Sequence, residues 1–261
     1  MKIWKENGME ISIKDKKELD DMRHGGKILG SILSELQKIA KAGITTLELN
    51  EVAENMMLEA NVIPSFKGYQ GFPAVICSCV NDEVVHGIPN SRPLENGDLL
   101  TIDCGVIHNG LHTDSAVCFV IGDAEGNEEK QKFIDTAYKA LEKAIEAAKP
   151  GVRVGKISGI IQDIVEKKGY AVSRELVGHG IGYDLHEDPN VPNFRDHDVG
   201  PILQIGMTLA IEPIIMMGSW KTRTLSDGWT VVTKDKSLAA QVEHTIAITA
   251  KGAEILTKRY S

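Results

Sequence analysis

Four carboxylates and two histidines recur as matched pairs in this sequence, and their chemistry points to a site. Asp103, in Leu99-Leu100-Thr101-Ile102-Asp103, corresponds to Glu212, in Thr208-Leu209-Ala210-Ile211-Glu212, 109 residues further on. Asp114-Ser115-Ala116-Val117 corresponds to Glu243-His244-Thr245-Ile246, and Val85-His86-Gly87-Ile88 to Gly178-His179-Gly180-Ile181. Acids inside apolar, strand-like runs are costly unless paired or bound to a cation. One such acid reads as an ordinary salt bridge, but two duplicated pairs read as a site. Converging carboxylates repel, and one is pushed up in pKa unless a cation sits between them. Four carboxylates and one neutral imidazole carry a charge of −4, which two divalent cations would neutralise. An oxygen-rich set with a single nitrogen suits Mn, Fe, Co or Zn. Two such ions about 3.5–4 Å apart activate a water, lowering its pKa from about 15.7 towards roughly 7, which is hydrolase chemistry.

A scaffold that brings these pairs together must itself be duplicated. Segments opening at Lys41-Ala42-Gly43-Ile44 and Lys149-Pro150-Gly151-Val152 align without a gap, 108 residues apart. Leu49 matches Ile157, Val52 matches Ile160, Ala53 matches Ile161, Met56 matches Ile164 and Met57 matches Val165, the spacing of one face of an amphipathic helix. A longer helical pattern precedes each segment, about Lys14 to Lys41 and about Glu128 to Lys149, and β-branched residues follow. Such internal repetition points to one unit used twice. The expectation is an α+β fold with a pseudo-twofold duplication, its helices covering one face of antiparallel sheet. One catalytic domain over residues 1–261 is expected, with pseudo-repeats at about 14–124 and 125–256 and a short extension at 1–11.

Asn109-Gly110 is a strong hairpin signal. With these two as the loop, His108 faces Leu111, Gly105 faces Asp114 and Asp103 faces Ala116. Asp103 and Asp114 then project from one face as diagonal neighbours, roughly 7–8 Å apart at the backbone. Gly105, opposite Asp114, is expected to leave room for an ion. A second hairpin is expected around Asp227-Gly228, as an insertion in the second half.

Composition excludes several classes. The chain has 261 residues, 42% hydrophobic and 25% charged, with a formal net charge of −8. Such a chain has enough apolar content to fold, and its scattered Lys and Arg speak against a nucleic-acid binder. No apolar run reaches the roughly 18 residues of a membrane span; the best candidate, Ile205 to Met217, is broken by Glu212 and Pro213. Residues 1–10 lack the apolar core of a secretory signal, and four cysteines without a CxxC pair suggest neither a disulfide framework nor structural zinc. A cytoplasmic protein is expected. Gly178-His179-Gly180-Ile181-Gly182 lacks the spacing of a phosphate loop. Cys77 and Cys79 share a strand face and read as packing residues, while His24, His108, His112 and His197 read as solvated. His244, beside Glu243, reads as a support and not a ligand.

At these residues the sequence resembles the type I methionine aminopeptidases, dinuclear metallo-aminopeptidases of the pita-bread fold. The resemblance runs from about Ile11 to Leu256 through seven motifs in order: Val84-Val85-His86-Gly87-Ile88-Pro89, Ile102-Asp103-Cys104-Gly105-Val106, Asp114-Ser115-Ala116, Gly178-His179-Gly180-Ile181-Gly182, His186-Glu187-Asp188-Pro189, Ile211-Glu212-Pro213 and Glu243-His244-Thr245. It implies two divalent cations (Co, Mn, Fe or Zn) held by Asp103, Asp114, His179, Glu212 and Glu243, with Asp114 and Glu243 bridging. It further implies that Glu212 takes a proton from the attacking water, that His186 hydrogen-bonds the scissile carbonyl, and that His86 contacts the peptide nitrogen or the second residue. The substrate's free α-amino group would bind a metal, confining cleavage to the chain terminus.

The same resemblance puts Phe66, Tyr69, Phe72, Cys77, Leu185 and Trp229 around a methionine pocket. Gln70 stands where many relatives carry His, and Leu185 where an aromatic is common, which bears on how strictly methionine is selected and not on the reaction. The implied function is removal of the initiator methionine, preferentially before a small second residue. The partners implied are the N-termini of nascent chains, with room for a transient ribosome contact, and the protein is expected to be a monomer that binds neither nucleic acid nor membrane. Two alternatives are a proline-directed aminopeptidase of the same fold and an inactive pita-bread binding protein. The proline-directed enzymes carry a large N-terminal domain for which a chain whose first helix opens near Lys14 has no place. Inactive relatives lose ligands, and here all five remain. Only 25 residues separate His186 from Glu212, which favours type I over the insertion-bearing type II.

Overall fold

The computed structural model describes residues 2–6, 8–122, 126–196 and 199–259. Residues 123–125, where the sequence sets the boundary between the repeats, and His197 lie outside the described residues. An antiparallel hairpin, β1 (Lys2–Glu6) and β2 (Met9–Ile13), opens the chain. The first run comprises α1 (Lys16–Ile39), α2 (Thr46–Glu59), β3 (Ile63–Pro64), β4 (Ile76–Val80), β5 (Glu83–Val85), β6 (Leu99–His108) and β7 (Leu111–Val120). The second run begins with α3 (Glu128–Ala147), α4 (Val154–Glu166), β8 (Ala171–Val172), β9 (Gly178–Gly180), β10 (Glu187–Val191) and β11 (Thr208–Ile211). It continues with β12 (Ile214–Met216), β13 (Thr222–Thr224), β14 (Val231–Thr233), β15 (Ala239–Gln241), β16 (His244–Thr249) and β17 (Gly252–Ile255).

Reciprocal capping boxes start the first two helices. Asp15 accepts from the Glu18 N–H at 2.9 Å while Glu18 accepts from the Asp15 N–H at 2.7 Å, and Thr45 with Glu48 repeats the pattern at 3.1 and 2.8 Å; each satisfies donors that a helix start leaves orphaned. The matched apolar positions are matched in burial too. Leu49, Ala53 and Met57 are buried, as are Ile157, Ile161 and Val165, whereas Val52, Met56, Ile160 and Ile164 are half-buried in both units. Each helix pair covers its own core. Leu29, Leu33, Leu49 and Met57 pack with Leu100, Ile102, Cys104 and Val106 of β6, and Phe133, Ala140, Ile157 and Ile161 pack with Leu209 and Ile211 of β11 and Ile246 and Ile248 of β16.

Because strand side chains alternate, the residues between those core positions face the other way. Asp103 lies between Ile102 and Cys104, and Glu212 follows Ile211, so the helices bury the apolar face and the acids share the opposite one. β6 is central in the first unit, with β7 on one edge and β4 and β3 on the other. β11 lies between β9 and β16 in the second. The β6–β7 register pairs His108 with Leu111, Gly105 with Asp114 and Asp103 with Ala116, as the Asn109-Gly110 turn predicts. The β13–β14 hairpin spans Asp227-Gly228 as expected, and β14 crosses over to pair with β5 of the first unit.

The units meet where β7 and β16 run side by side. The Asp114 N–H donates to Thr245 Oγ1 at 2.9 Å, and that hydroxyl donates back to the Asp114 carbonyl at 2.7 Å. Symmetrically, the Glu243 N–H donates to the Ala116 carbonyl at 3.1 Å. β7, which carries Asp114, and β16, which Glu243 immediately precedes, are therefore joined across the pseudo-twofold axis. Among the described residues, no helix is long and apolar enough to cross a membrane.

Candidate metal centre and active site

The acids converge at this seam. One ligand atom each of Asp114, His179 and Glu243 lies within 4.8 Å of the others, and His179 Nε2 is 3.7 Å from Glu212 Oε1. All are buried, with Asp103 and Glu212 at 8%, Asp114 at 4%, His179 at 5% and Glu243 at 1% exposure. Asp103 and Asp114 are diagonal neighbours on β6–β7. The second pair differs. The register that joins Ile211 to His244 and Ile214 to Gln241 sets Glu212 opposite Glu243, and Pro213, which lacks an N–H, interrupts the ladder there. Asp103 Oδ1, Asp114 Oδ1 and Glu243 Oε1 are buried without a hydrogen-bond partner among the described residues. Buried carboxylate oxygens without a protein donor call for a cation, so the residues present fit a divalent metal.

His179 completes the set through the close packing of β9. A side chain at Gly178 would meet the Ala210 carbonyl oxygen at 2.5 Å, and one at Gly180 the Asp188 carbonyl oxygen at 2.1 Å. These glycines admit neighbouring backbones, and His179 between them projects into the cluster. Its Nδ1 lies 2.8 Å from the Gly180 carbonyl oxygen; an N–H donated there leaves Nε2 with a free lone pair for a metal.

A cavity of about 320 Å³ opens over the cluster, and every residue that the sequence proposes as ligand, catalytic group or pocket wall lines it: Phe66, Tyr69, Phe72, Cys77, His86, Asp103, Asp114, His179, Leu185, His186, Glu212, Trp229 and Glu243. In its aromatic wall Phe72 stands edge-on to Trp229 at 5.1 Å between ring centres. Exposed at the mouth are His86, held at a positive φ of 59°, and His186. The Tyr69 hydroxyl is 2.8 Å from His186 Nδ1, and the His179 and His186 rings are 4.4 Å apart. A hydroxyl donating to Nδ1 leaves the His186 proton on Nε2, where it can be donated to an oxyanion.

A metallopeptidase model, Metallopeptidase family M24, matches residues 20–250. The chain belongs to metallopeptidase family M24. The methionine aminopeptidase of Clostridium acetobutylicum is 49% identical over 95% of this chain and 98% of its own length. The crystal structure of the Thermotoga maritima methionine aminopeptidase superposes with a TM-score of 0.91 at 42% identity, covering 95% of this chain and 100% of that one. The prolidase of Pyrococcus horikoshii shares the fold alone, with a TM-score of 0.77 at 24% identity over 64% of its chain. The architecture is the pita-bread fold.

In this M24 chain two expectations are corrected. The space left by Gly105 is taken by Ser65 and Phe66, whose side chains would lie 2.8 and 3.0 Å from an added Cβ, so the glycine accommodates the cavity wall and not an ion. His112 is half-buried and 3.0 Å from Ser65 Oγ, so it is not a solvated side chain. One residue of the centre escapes sequence reasoning. Buried Gln241 donates its amide to Asp103 Oδ2 at 3.3 Å and Glu212 Oε2 at 3.1 Å, tying one acid of each unit together. Alternation from Glu243, two residues on, places it on the same face, but an amide carries no ligand signature.

Electrostatics of the M24 centre follow from burial. It lifts the Asp103 carboxyl to about 6. Burial, with the neighbouring acids adding to it, lifts Asp114, Glu212 and Glu243 well above the usual carboxylate range. The imidazole of His179 is driven the other way, to about 3, by the same burial and by His186, so it stays neutral. A cation must therefore displace protons from carboxylates but none from His179, and its affinity rises with pH. Mn²⁺ binding to the metal-free chain is expected to be at least about tenfold tighter at pH 7.5 than at pH 5.5. Calorimetry in buffers of different ionisation enthalpy should show proton release; equal affinity at both pH values without release would refute the displacement.

Proposed function

We propose that this chain is a methionine aminopeptidase, hydrolysing the first peptide bond of polypeptides that begin with methionine, preferentially before a small second residue. The observation that carries this reading is a cluster of four buried acids and one neutral histidine at the inner end of an aromatic cavity, in a chain similar along nearly its whole length to enzymes of that name. Asp103, Asp114, His179, Glu212 and Glu243 would hold two divalent cations. When bound, these ions supply Lewis acidity and a water of lowered pKa. Glu212 accepts the proton of the attacking water. His186 donates to the scissile carbonyl as it becomes an oxyanion, and His86 meets the peptide nitrogen or the second residue. Phe66, Tyr69, Phe72, Cys77, Leu185 and Trp229 enclose the thioether. The enzyme acts on nascent N-termini as a cytoplasmic monomer.

The test is hydrolysis of Met-Ala-Ser by metal-stripped protein before and after adding Mn, Co, Fe or Zn. Metal-dependent release of methionine, with N-acetylated and Xaa-Pro peptides left intact, is the expected result. Silence with every metal from a folded chain that binds them would turn the reading to a binding protein. His86→Ala should retain its metal while kcat falls about tenfold or more. Loss of metal in that variant, measured by elemental analysis, would make His86 a ligand and overturn its role.

A further inference from the structure

The amino-terminal hairpin takes no part in the reaction just described, yet its end reaches the turn that carries Leu185 and His186. Lys14 lies just past β2 with its side chain 1% exposed, and its ammonium is 2.7 Å from Glu187 Oε2; the Glu187 side chain is 9% exposed. Ser12 Oγ donates to the same oxygen, and Lys14 also donates to Ser12. The other oxygen, Oε1, accepts the Asp184 N–H at 3.1 Å. One carboxylate thus closes the turn from Asp184 to Glu187, with Leu185 and His186 between its ends, and fastens that turn to the hairpin. Glu187 is the next residue after His186, and its backbone pairs with Gly180 beside His179. The Lys14 N–H donates to the Gly206 carbonyl at 2.8 Å, which fixes the lysine in its turn. Gly182 makes room for it: an added Cβ would lie 2.1 Å from Lys14 Cε.

A buried ion pair adds little net stability, because desolvation consumes most of the attraction. What this pair supplies is direction, since one oxygen of Glu187 is committed to Asp184 within the turn and the other to Lys14 and Ser12 of the hairpin. We infer that Lys14, acting through Glu187, is a positioning residue that holds His186 where its proton meets the scissile carbonyl. The inference rests on the role given above to His186. Displacement of a reacting group by about 1 Å can cost on the order of 10²-fold, so loosening one end of this turn is expected to cost about tenfold.

The test compares Lys14→Met, His186→Ala and the double variant in the metal-loaded enzyme, reading kcat/KM on Met-Ala-Ser. Lys14→Met should lose about tenfold in the wild-type background and less than about twofold in the His186→Ala background, because its effect passes through a side chain no longer there. Metal content should not change. Lys14→Met leaves a buried carboxylate unpaired; if it does not fold, Lys14→Met with Glu187→Gln, which leaves no unpaired charge, carries the same comparison. Equal losses in both backgrounds, or full activity in a folded Lys14 variant, would overturn the inference and leave the role of His186 standing. A His186→Ala enzyme as active as wild type would overturn both.

Discussion

Glu212→Gln is expected to lower kcat on Met-Ala-Ser by at least about 10²-fold. The amide keeps the shape of the side chain and its place beside His179 and Gln241, 3.7 and 3.1 Å away. It removes the two properties that the reaction needs, a negative oxygen for the metal and a base for the proton. In the metal-free chain burial and the Asp103 and Asp114 charges raise this carboxyl well above its ordinary value; with metal bound the carboxylate is ionised and free to take a proton from the attacking water, which the amide cannot do. Rates measured across a series of metal concentrations separate the two losses, since weakened metal binding is recovered at saturation and a missing base is not. Turnover within tenfold of wild type at saturating metal would remove Glu212 from the proton transfer.

Much of this arrangement is legible in the sequence because it is local or repeated. Asn109-Gly110 defines a two-residue turn, and from that turn the whole β6–β7 register and the shared face of Asp103 and Asp114 follow by alternation. The spacing of Leu49, Ala53 and Met57 and its echo in Ile157, Ile161 and Val165 reveal both covering helices and hence which face is left for the acids. The unread features depend on contacts distant in sequence or on a broken pattern. Pro213 interrupts the second ladder, so Glu212 and Glu243 stand opposite each other where Asp103 and Asp114 stand diagonally. The occupants of the space at Gly105 come from residues 65 and 66, and Lys14 meets a residue 173 positions away. No periodicity encodes either contact. Gln241 is hidden for a different reason: its position is readable, but its chemistry, two amide hydrogens shared between opposed acids, has meaning only once those acids converge.

Asp114→Asn should move stability and metal binding in opposite directions, which no purely structural acid would do. In the metal-free chain the Asp114 carboxyl is raised well above its ordinary value by burial and then by Glu243 and Asp103. The sign follows from linkage. An acid that holds its proton longer when folded than when unfolded makes stability fall as pH rises above its unfolded value. Replacing it with a neutral amide removes that cost, so the metal-free variant should melt about 3 °C or more above metal-free wild type at pH 7.5. The difference should shrink at pH 5, nearer the unfolded titration, where less of the cost has accrued. Metal should reverse the order. A ligand at about 100 times its Kd adds roughly 2.7 kcal/mol to the folded state, so wild type should gain several degrees with saturating Mn²⁺ while Asp114→Asn gains little. The cation converts the repulsion that burdens the empty cluster into attraction, and only an oxygen bearing charge takes part in both. Identical melting of the two metal-free proteins at both pH values, together with equal gains on adding Mn²⁺, would mean that Asp114 belongs to the seam between β7 and β16 and not to a metal centre.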